Sequence, residues 1–543
     1  MSESRSAPRA EDSGAAALSW VDDNQSALSS WHRTIFDFGE TAWREYRSAA
    51  WYVERLRAEG FSVEAGSGGM PTAFCAEWQN GSGGPTIGGY AEYDGIPGNC
   101  QAADVVRRPR DGLSPHAGGH TDPHSALGIA ALGGLLATKA AMEAHRLPGR
   151  LKFFGEPAEK LRGSKPIHAA RGYYDDLDAA ISFHPFYMLP LCNTVRWDTH
   201  CGAGVAMIYE FTCEQPESWL AAAGDSPIPA AHADARAPGA NDAVVQMYQL
   251  GKALKEHVLA NGVGWSMNEA ILTAGQATAD NIPAQMAQIQ YLARVPTLAM
   301  ADRVVQALDL YAESAAKAAH CAWRRHWVSR SRPGLANHAL ARATYANLAR
   351  VGPPRFGAEA VALARRIQES LGQAPMDEPF LPEIERLIEP QEAERRLRRQ
   401  IPPWQEHFTS DDYTEFCWHA PTVRLYVGRP ALKPAPNGGG TPAWVMNALG
   451  GLAPCIDPMI LCAAKTVGLT VVELLTDPAL LAEAKAEFEE RTGGGIGGAR
   501  WLPPLGDYDP PIHFRWPEYV ETVRGREWVI PTEPPTEPPT EPA

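Results

Sequence analysis

Three short apolar runs in this chain end in the same way, and that shared ending limits the fold more than any other feature. Residues 86–90 (TIGGY) run into AEYDG, residues 150–154 (RLKFF) into GEPAEK, and residues 179–183 (AAISF) into His184-Pro185. Each run reads as a compact strand, with helical stretches such as the proline-free residues 127–145 between them. Strands alternating with helices imply an α/β fold with a mainly parallel sheet. In such sheets functional residues collect just beyond the C-terminal strand ends, which is where these acidic and histidine clusters fall.

Composition narrows the class. The 543 residues carry 49 Lys+Arg against 64 Asp+Glu, a formal net charge of -15, which argues against nucleic acid as the main partner. The polar N-terminus lacks the apolar core of a signal peptide, and the longest apolar run, 126–137, is shorter than a membrane span. Nine scattered cysteines without a CxxC pair read as reduced thiols. These features predict a cytoplasmic protein with no membrane or nucleic-acid partner. Residues 1–18 are expected to be disordered, and the Pro/Thr/Glu repeat at 529–543 to form an extended tail.

Residues 199–322 follow a different pattern. A strand at 204–211, a helix at 241–259, two strands around Ile271 and 289–294, and a helix at 300–319 give a β-α-β-β-α order. In the first helix Val244, Met247, Tyr248, Gly251, Leu254 and Val258 share one face. That order suggests an inserted α+β, ferredoxin-like unit. It divides the remainder into 19–198 and 323–528.

The stretch SPHAGGHTDPHSALG places His116, His120 and His124 four apart beside Asp122. Gly118, Gly119 and Pro123 argue for a loop entering a helix at Ser125. Imidazole and carboxylate on such a loop suit zinc or manganese, although a helix-capping loop is the plain alternative. In GEPAEK, Glu156 and Glu159 could supply a general base and its partner, with Lys160 holding Glu159 ionised. A solvated turn fits the same residues, and His184 alone fits a structural role.

Taken in order, these blocks resemble the metal-dependent aminoacylase and carboxypeptidase amidohydrolase superfamily, and within it the aminobenzoyl-glutamate hydrolase branch. The similarity runs from about Trp20 to Pro504 through AEYDGIPG, GEPAEK, DAAISFHP, HADARAPGANDAV, NIPAQ, LARVPT, YANLARVGPPRF and SDDYTEFCWHAPTV. It implies a metallopeptidase-like catalytic domain built from both chain ends, with 199–322 as a lid and dimerisation domain and the protein a homodimer. It further implies that Glu159 is the general base, that His232 of the lid stabilises the oxyanion, and that Asn281 and Arg294 hold the substrate's polar end.

The departures from the family pattern are as informative. A CGH block is expected where Gly118-Gly119-His120 stands, a second Glu where Lys160 stands, and a late HSW block where Pro442-Ala443-Trp444 stands. One metal position therefore loses its ligands, and the ammonium of Lys160 could take over a cation's role. The other keeps His120 and His184, completed by Asp122 or His124, and Asp122-Pro-His124-Ser-Ala also resembles the family's D-x-H-[ST]-A. One divalent metal, zinc or manganese, or none is the expectation. The expected activity is hydrolysis of an amide or related C–N bond in a small aromatic or acyl-amino-acid molecule. The alternatives are a metal-poor or metal-free cyclisation, amide-forming or lyase reaction on a specialised metabolite, and a non-catalytic binding protein.

Overall fold

A computed structural model describes residues 10–186, 188–213, 238–257, 264–275, 283–435 and 440–529. The strands run β1 (Ser62–Ala65), β2 (Phe74–Asn80), β3 (Thr86–Ala91), β4 (Gly149–Gly155), β5 (Ala179–Pro185) and β6 (Thr194–Val195) in the first part of the chain. β7 (Ala203–Thr212), β8 (Ser266–Thr273), β9 (Met286–Val295) and β10 (Ala322–Ser331) follow, and β11 (Thr422–Val427) returns to the first group.

Seven strands form one sheet in the order β1-β2-β4-β3-β5-β11-β6. Its centre, β4-β3-β5-β11, is parallel, with Tyr90 level with Phe154 and His184 level with Tyr426. The flanking strands pair antiparallel. The fold is thus mixed α/β with a mostly parallel central sheet, and the three apolar runs are neighbouring strands of it. Strands covered on both faces can be apolar throughout, and every residue of β5 and β11 is buried.

Helices His124–His145 and Ala453–Thr476 pack together against this sheet. Both are long and apolar enough to cross a membrane by length and composition, contrary to the sequence expectation that no segment reaches that size. In the folded chain they are core helices, with 89% and 72% of their most apolar windows buried. Disorder over 1–18 needs a similar correction, because Ala10–Asp23 is a helix lying on both of them. Its small residues permit that approach: a Cβ on Gly14 would already lie 3.1 Å from Leu469.

The second sheet has the order β10-β7-β9-β8, all antiparallel, with helices Ala240–His257 and Leu298–Ala318 between its strands in sequence. This is the ferredoxin-like order, and β10 carries the unit beyond residue 322 to Ser331. Alternation along β7 sets its two faces. Val205, Met207, Tyr209 and Phe211 turn to the two helices, while Ala206 and Ile208 join Trp43, Ala158, Ile167 and Trp516 of the main body.

Candidate active site

Immediately after β4 the backbone makes an unusual turn. Ala158 and Arg162 bracket the 3-10 turn Glu159–Leu161 with φ of 56° and 60°, left-handed values that non-glycine residues adopt at a cost of roughly 1–3 kcal/mol each. The buried Glu45 carboxylate fixes this turn by accepting from the Ala158 amide at 2.7 Å. Glu159 and Lys160 are thereby brought to the C-terminal strand ends. One Glu159 oxygen lies 3.1 Å from Arg162, and the other lies 3.4 Å from His124 Nε2 and 3.5 Å from Lys160 Nζ.

Asp94, in the segment after β3, ties three elements together. Its Oδ1 accepts from His124 Nδ1 at 2.6 Å and its Oδ2 from the Lys160 amide at 2.8 Å. With the proton on Nδ1, the Nε2 of His124 presents a lone pair to the site, the arrangement in which a carboxylate orients a metal-binding imidazole. Here the Lys160 ammonium meets that lone pair at 2.7 Å and donates to Asp122 Oδ2 at 2.8 Å.

Around this centre lies a second ring of buried charge. Lys165 donates to Glu92 and Asp412, each at 2.7 Å, and Arg424 on β11 pairs with Asp411 while donating to Tyr90 and Ser182 at 2.8 Å. Arg429, just past β11, lies 3.7 Å from Asp122 Oδ1 and donates to the Thr121 carbonyl at 3.1 Å. Asp122 and Lys160, 29% and 17% exposed, are where the cluster opens to solvent, since His124, Glu92, Glu159 and His184 are sealed.

Charge states follow from these contacts. Burial works against the charge on Glu159, but Arg162 and Lys160 outweigh it and hold the carboxylate below its usual range. Burial likewise opposes the Lys160 charge, and Asp122 and Glu159 raise its affinity for the proton. Burial and Lys160 push His124 down, whereas Glu92 and Asp94 lift it above its ordinary value. Only one nitrogen can carry the proton between His124 and Lys160, and the amine is intrinsically about ten-thousand-fold more basic. Lys160 is therefore the ammonium and His124 the acceptor. His184 is pushed down to about 4, chiefly by burial, and stays neutral.

The donor set fits one divalent ion. His184 gives its Nδ1 proton to the Pro185 carbonyl, so its Nε2 lone pair faces Asp122 Oδ2 at 3.6 Å. Glu92 Oε2 and Asp122 Oδ1 are buried without a hydrogen-bond donor among the described residues. The ligand atoms of Glu92, His124 and His184 lie within 4.8 Å of one another, as do those of Glu92, Asp411 and Asp412. Imidazole with carboxylate suits zinc or manganese.

The structure gathers Glu159, Lys160, Asp122, His124 and His184 from the sequence-derived candidates, but leaves His120 out. His120 Nε2 donates to the Ile35 carbonyl at 3.2 Å and its ring packs on Phe36. The cause is the double glycine before it: a Cβ on Gly119 would stand 2.0 Å from the Asn99 carbonyl, so Gly118-Gly119 serves close loop packing. The chain then turns once more, and the helix opens at His124 itself, not at Ser125. Glu156, offered as a partner for Glu159, instead accepts from Tyr174 at 2.6 Å and bonds His168 at 2.9 Å. His232 and Asn281 lie outside the described residues, and Arg294 sits half-buried on β9 between Gly204 and Ser266. Sequence reasoning missed Lys165, Asp411, Asp412, Arg424 and Arg429. An arginine inside the apolar strand TVRLYV, and the paired aspartates before it, were the available signals.

No protein-family model matches the chain. It is 27% identical over 470 residues, 84% of this chain and 91% of the relative, to a polypeptide of the p-aminobenzoyl-glutamate hydrolase of Escherichia coli strain K12. A shorter stretch of 155 residues, 28% of this chain and 37% of the relative, is 29% identical to thermostable carboxypeptidase 1 of Saccharolobus solfataricus. Among solved structures, the aminobenzoyl-glutamate utilization protein from Klebsiella pneumoniae overlays with a TM-score of 0.48 at 16% identity, covering 83% of this chain and 98% of that one.

Proposed function

This chain is a homologue of aminobenzoyl-glutamate hydrolase and a hydrolase by that kinship, and on that premise we propose that it cleaves an amide bond in a small aromatic or acyl-amino-acid substrate. One observation carries the reading: a sealed, ionised carboxylate, Glu159, lies beside a solvent-facing ammonium, Lys160, at the ends of the parallel strands.

Lys160 has three protons to donate. Two are engaged at 2.7 and 2.8 Å by His124 and Asp122, and the third faces Glu159 across a looser 3.5 Å. That third proton is available to a substrate carbonyl oxygen entering at the open side, and an ammonium there stabilises the oxyanion as it forms. Glu159 takes a proton from the attacking water, whose oxygen bonds the carbonyl carbon. When the C–N bond breaks, Glu159 returns that proton to the leaving nitrogen, giving an acid and an amine. Asp94 keeps His124 in the tautomer that accepts from Lys160, so the ammonium stays aimed. Where a divalent ion is bound, Asp122, His184 and Glu92 would hold it, and it would supply Lewis-acid polarisation and a more acidic water.

Arg429 supplies specificity in this reading. Among the described residues its largely buried guanidinium has one carboxylate neighbour, at 3.7 Å, and its Nε lacks an acceptor, which suits a substrate carboxylate. The reading also takes the protein to be a homodimer. The test uses p-aminobenzoyl-glutamate and a panel of N-acyl amino acids in oxygen-18 water. One heavy oxygen in the product acid supports hydrolysis; conversion without it would assign the site a different reaction.

A further inference from the structure

Two cation positions share the Asp122 carboxylate. One is bounded by His124 Nε2, Asp122 Oδ2 and Glu159 Oε2; the other lies toward His184 Nε2, and Glu92 Oε2, 3.3 Å from His124 Nε2, borders both. The first is filled from within. We propose that the Lys160 ammonium is a tethered substitute for a metal cation, so that the chain carries at most one divalent ion, held by Asp122 and His184.

Three features support this. The ligands around Nζ are an oriented imidazole and two carboxylates, a donor set for a cation, and Asp94 braces the imidazole from behind as outer partners brace metal ligands. An ion bound to both His124 Nε2 and Asp122 at the usual distance of about 2.0–2.2 Å would need the space that Nζ occupies. Finally, the charge is already nearly balanced. Six carboxylates (Glu92, Asp94, Asp122, Glu159, Asp411, Asp412) face five permanent cations (Lys160, Lys165, Arg162, Arg424, Arg429). One dication shifts that balance from one net negative to one net positive charge, whereas two would leave a buried excess of three positive charges.

The inference deepens the hydrolase reading, yet the two fail separately because its readout is metal content. Full-length protein is equilibrated with zinc or manganese, freed of excess, and measured by elemental mass spectrometry. At most about one ion per chain is expected for the native chain. Lys160→Glu changes the local charge by two and restores a ligand, so it should gain about one further ion per chain. Lys160→Met, which only vacates the position, should gain one more weakly in calorimetric titration, and this variant serves if Lys160→Glu does not fold. Two ions in the native chain, or no gain in whichever variant folds, would overturn the proposal. Turnover of p-aminobenzoyl-glutamate or an N-acyl amino acid, present or absent, bears on the hydrolase reading alone.

Discussion

Replacing Glu159 with Gln removes the group that shuttles the proton in the proposed hydrolysis while keeping its shape. Turnover should fall by roughly 10²–10⁴-fold with the circular dichroism spectrum unchanged; activity within a few-fold of the native chain would remove Glu159 from the mechanism. Arg429→Ala should raise KM about 10–100-fold for substrates bearing a free carboxylate and leave the corresponding esters or amides nearly unaffected, the value of a charge-assisted pair. Equal effects on both substrate types would mean that Arg429 only supports Asp122. At this scale the sequence was most informative where chemistry is bound to order. Glu159, Lys160 and His184 were legible because each lies at or shortly beyond the C-terminal end of a strand. His120 and His124 look alike in one dimension, and a turn of a few residues determines which of them enters the site.

Helix His124–His145 shows how an element sets the site. A Cβ on Gly128 would fall 2.3 Å from the Tyr52 hydroxyl and 2.9 Å from the Glu92 carbonyl oxygen. Gly128→Ala should therefore destabilise by about 1–3 kcal/mol in urea denaturation. Because the displaced atom belongs to Glu92, turnover should fall in the folded variant as well; lost stability with full activity would show that the strand end absorbs the push. Strands and helices were readable from periodicity because their burial is regular. The N-terminal helix escaped that reading because its alanines and serines resemble disordered composition. Its partners, the two long helices, are remote in sequence, and packing on them is what makes it a helix.

For the whole molecule, burial places neutral imidazoles throughout the core. Burial first, and nearby cations second, push His32 and His120 down to about 3. A base depressed in the folded state is protonated first in the unfolded chain. Its neutral form therefore costs stability as pH falls from about 6.5 toward its folded value. Glu45, raised to about 8 by burial and Asp94, works in the opposite direction, so a difference between variants isolates the histidine. Relative to His120→Gln, the native chain should lose about 2 kcal/mol of unfolding free energy between pH 7 and pH 5. The same variant should keep its metal content. A flat difference, or a lost ion, would return His120 to the ligand set.

The sequence alone determined the α/β class, the ferredoxin-like insertion and the placing of Glu159 beside its unusual lysine neighbour at a strand end, since strand endings and spacings are local properties that burial imposes on order. Only the tertiary structure decided which residues meet. Parallel pairing of β4, β3, β5 and β11 brings residues 92, 159, 184 and 429 to one edge, and the turn at 120–124 sets Asp122 and His124 there while leaving His120 in the core. The ammonium of Lys160 reaches cation distance from His124 because Asp94, remote from both in sequence, accepts hydrogen bonds from each. No spacing along the chain encodes that distance, because it is set by packing between segments.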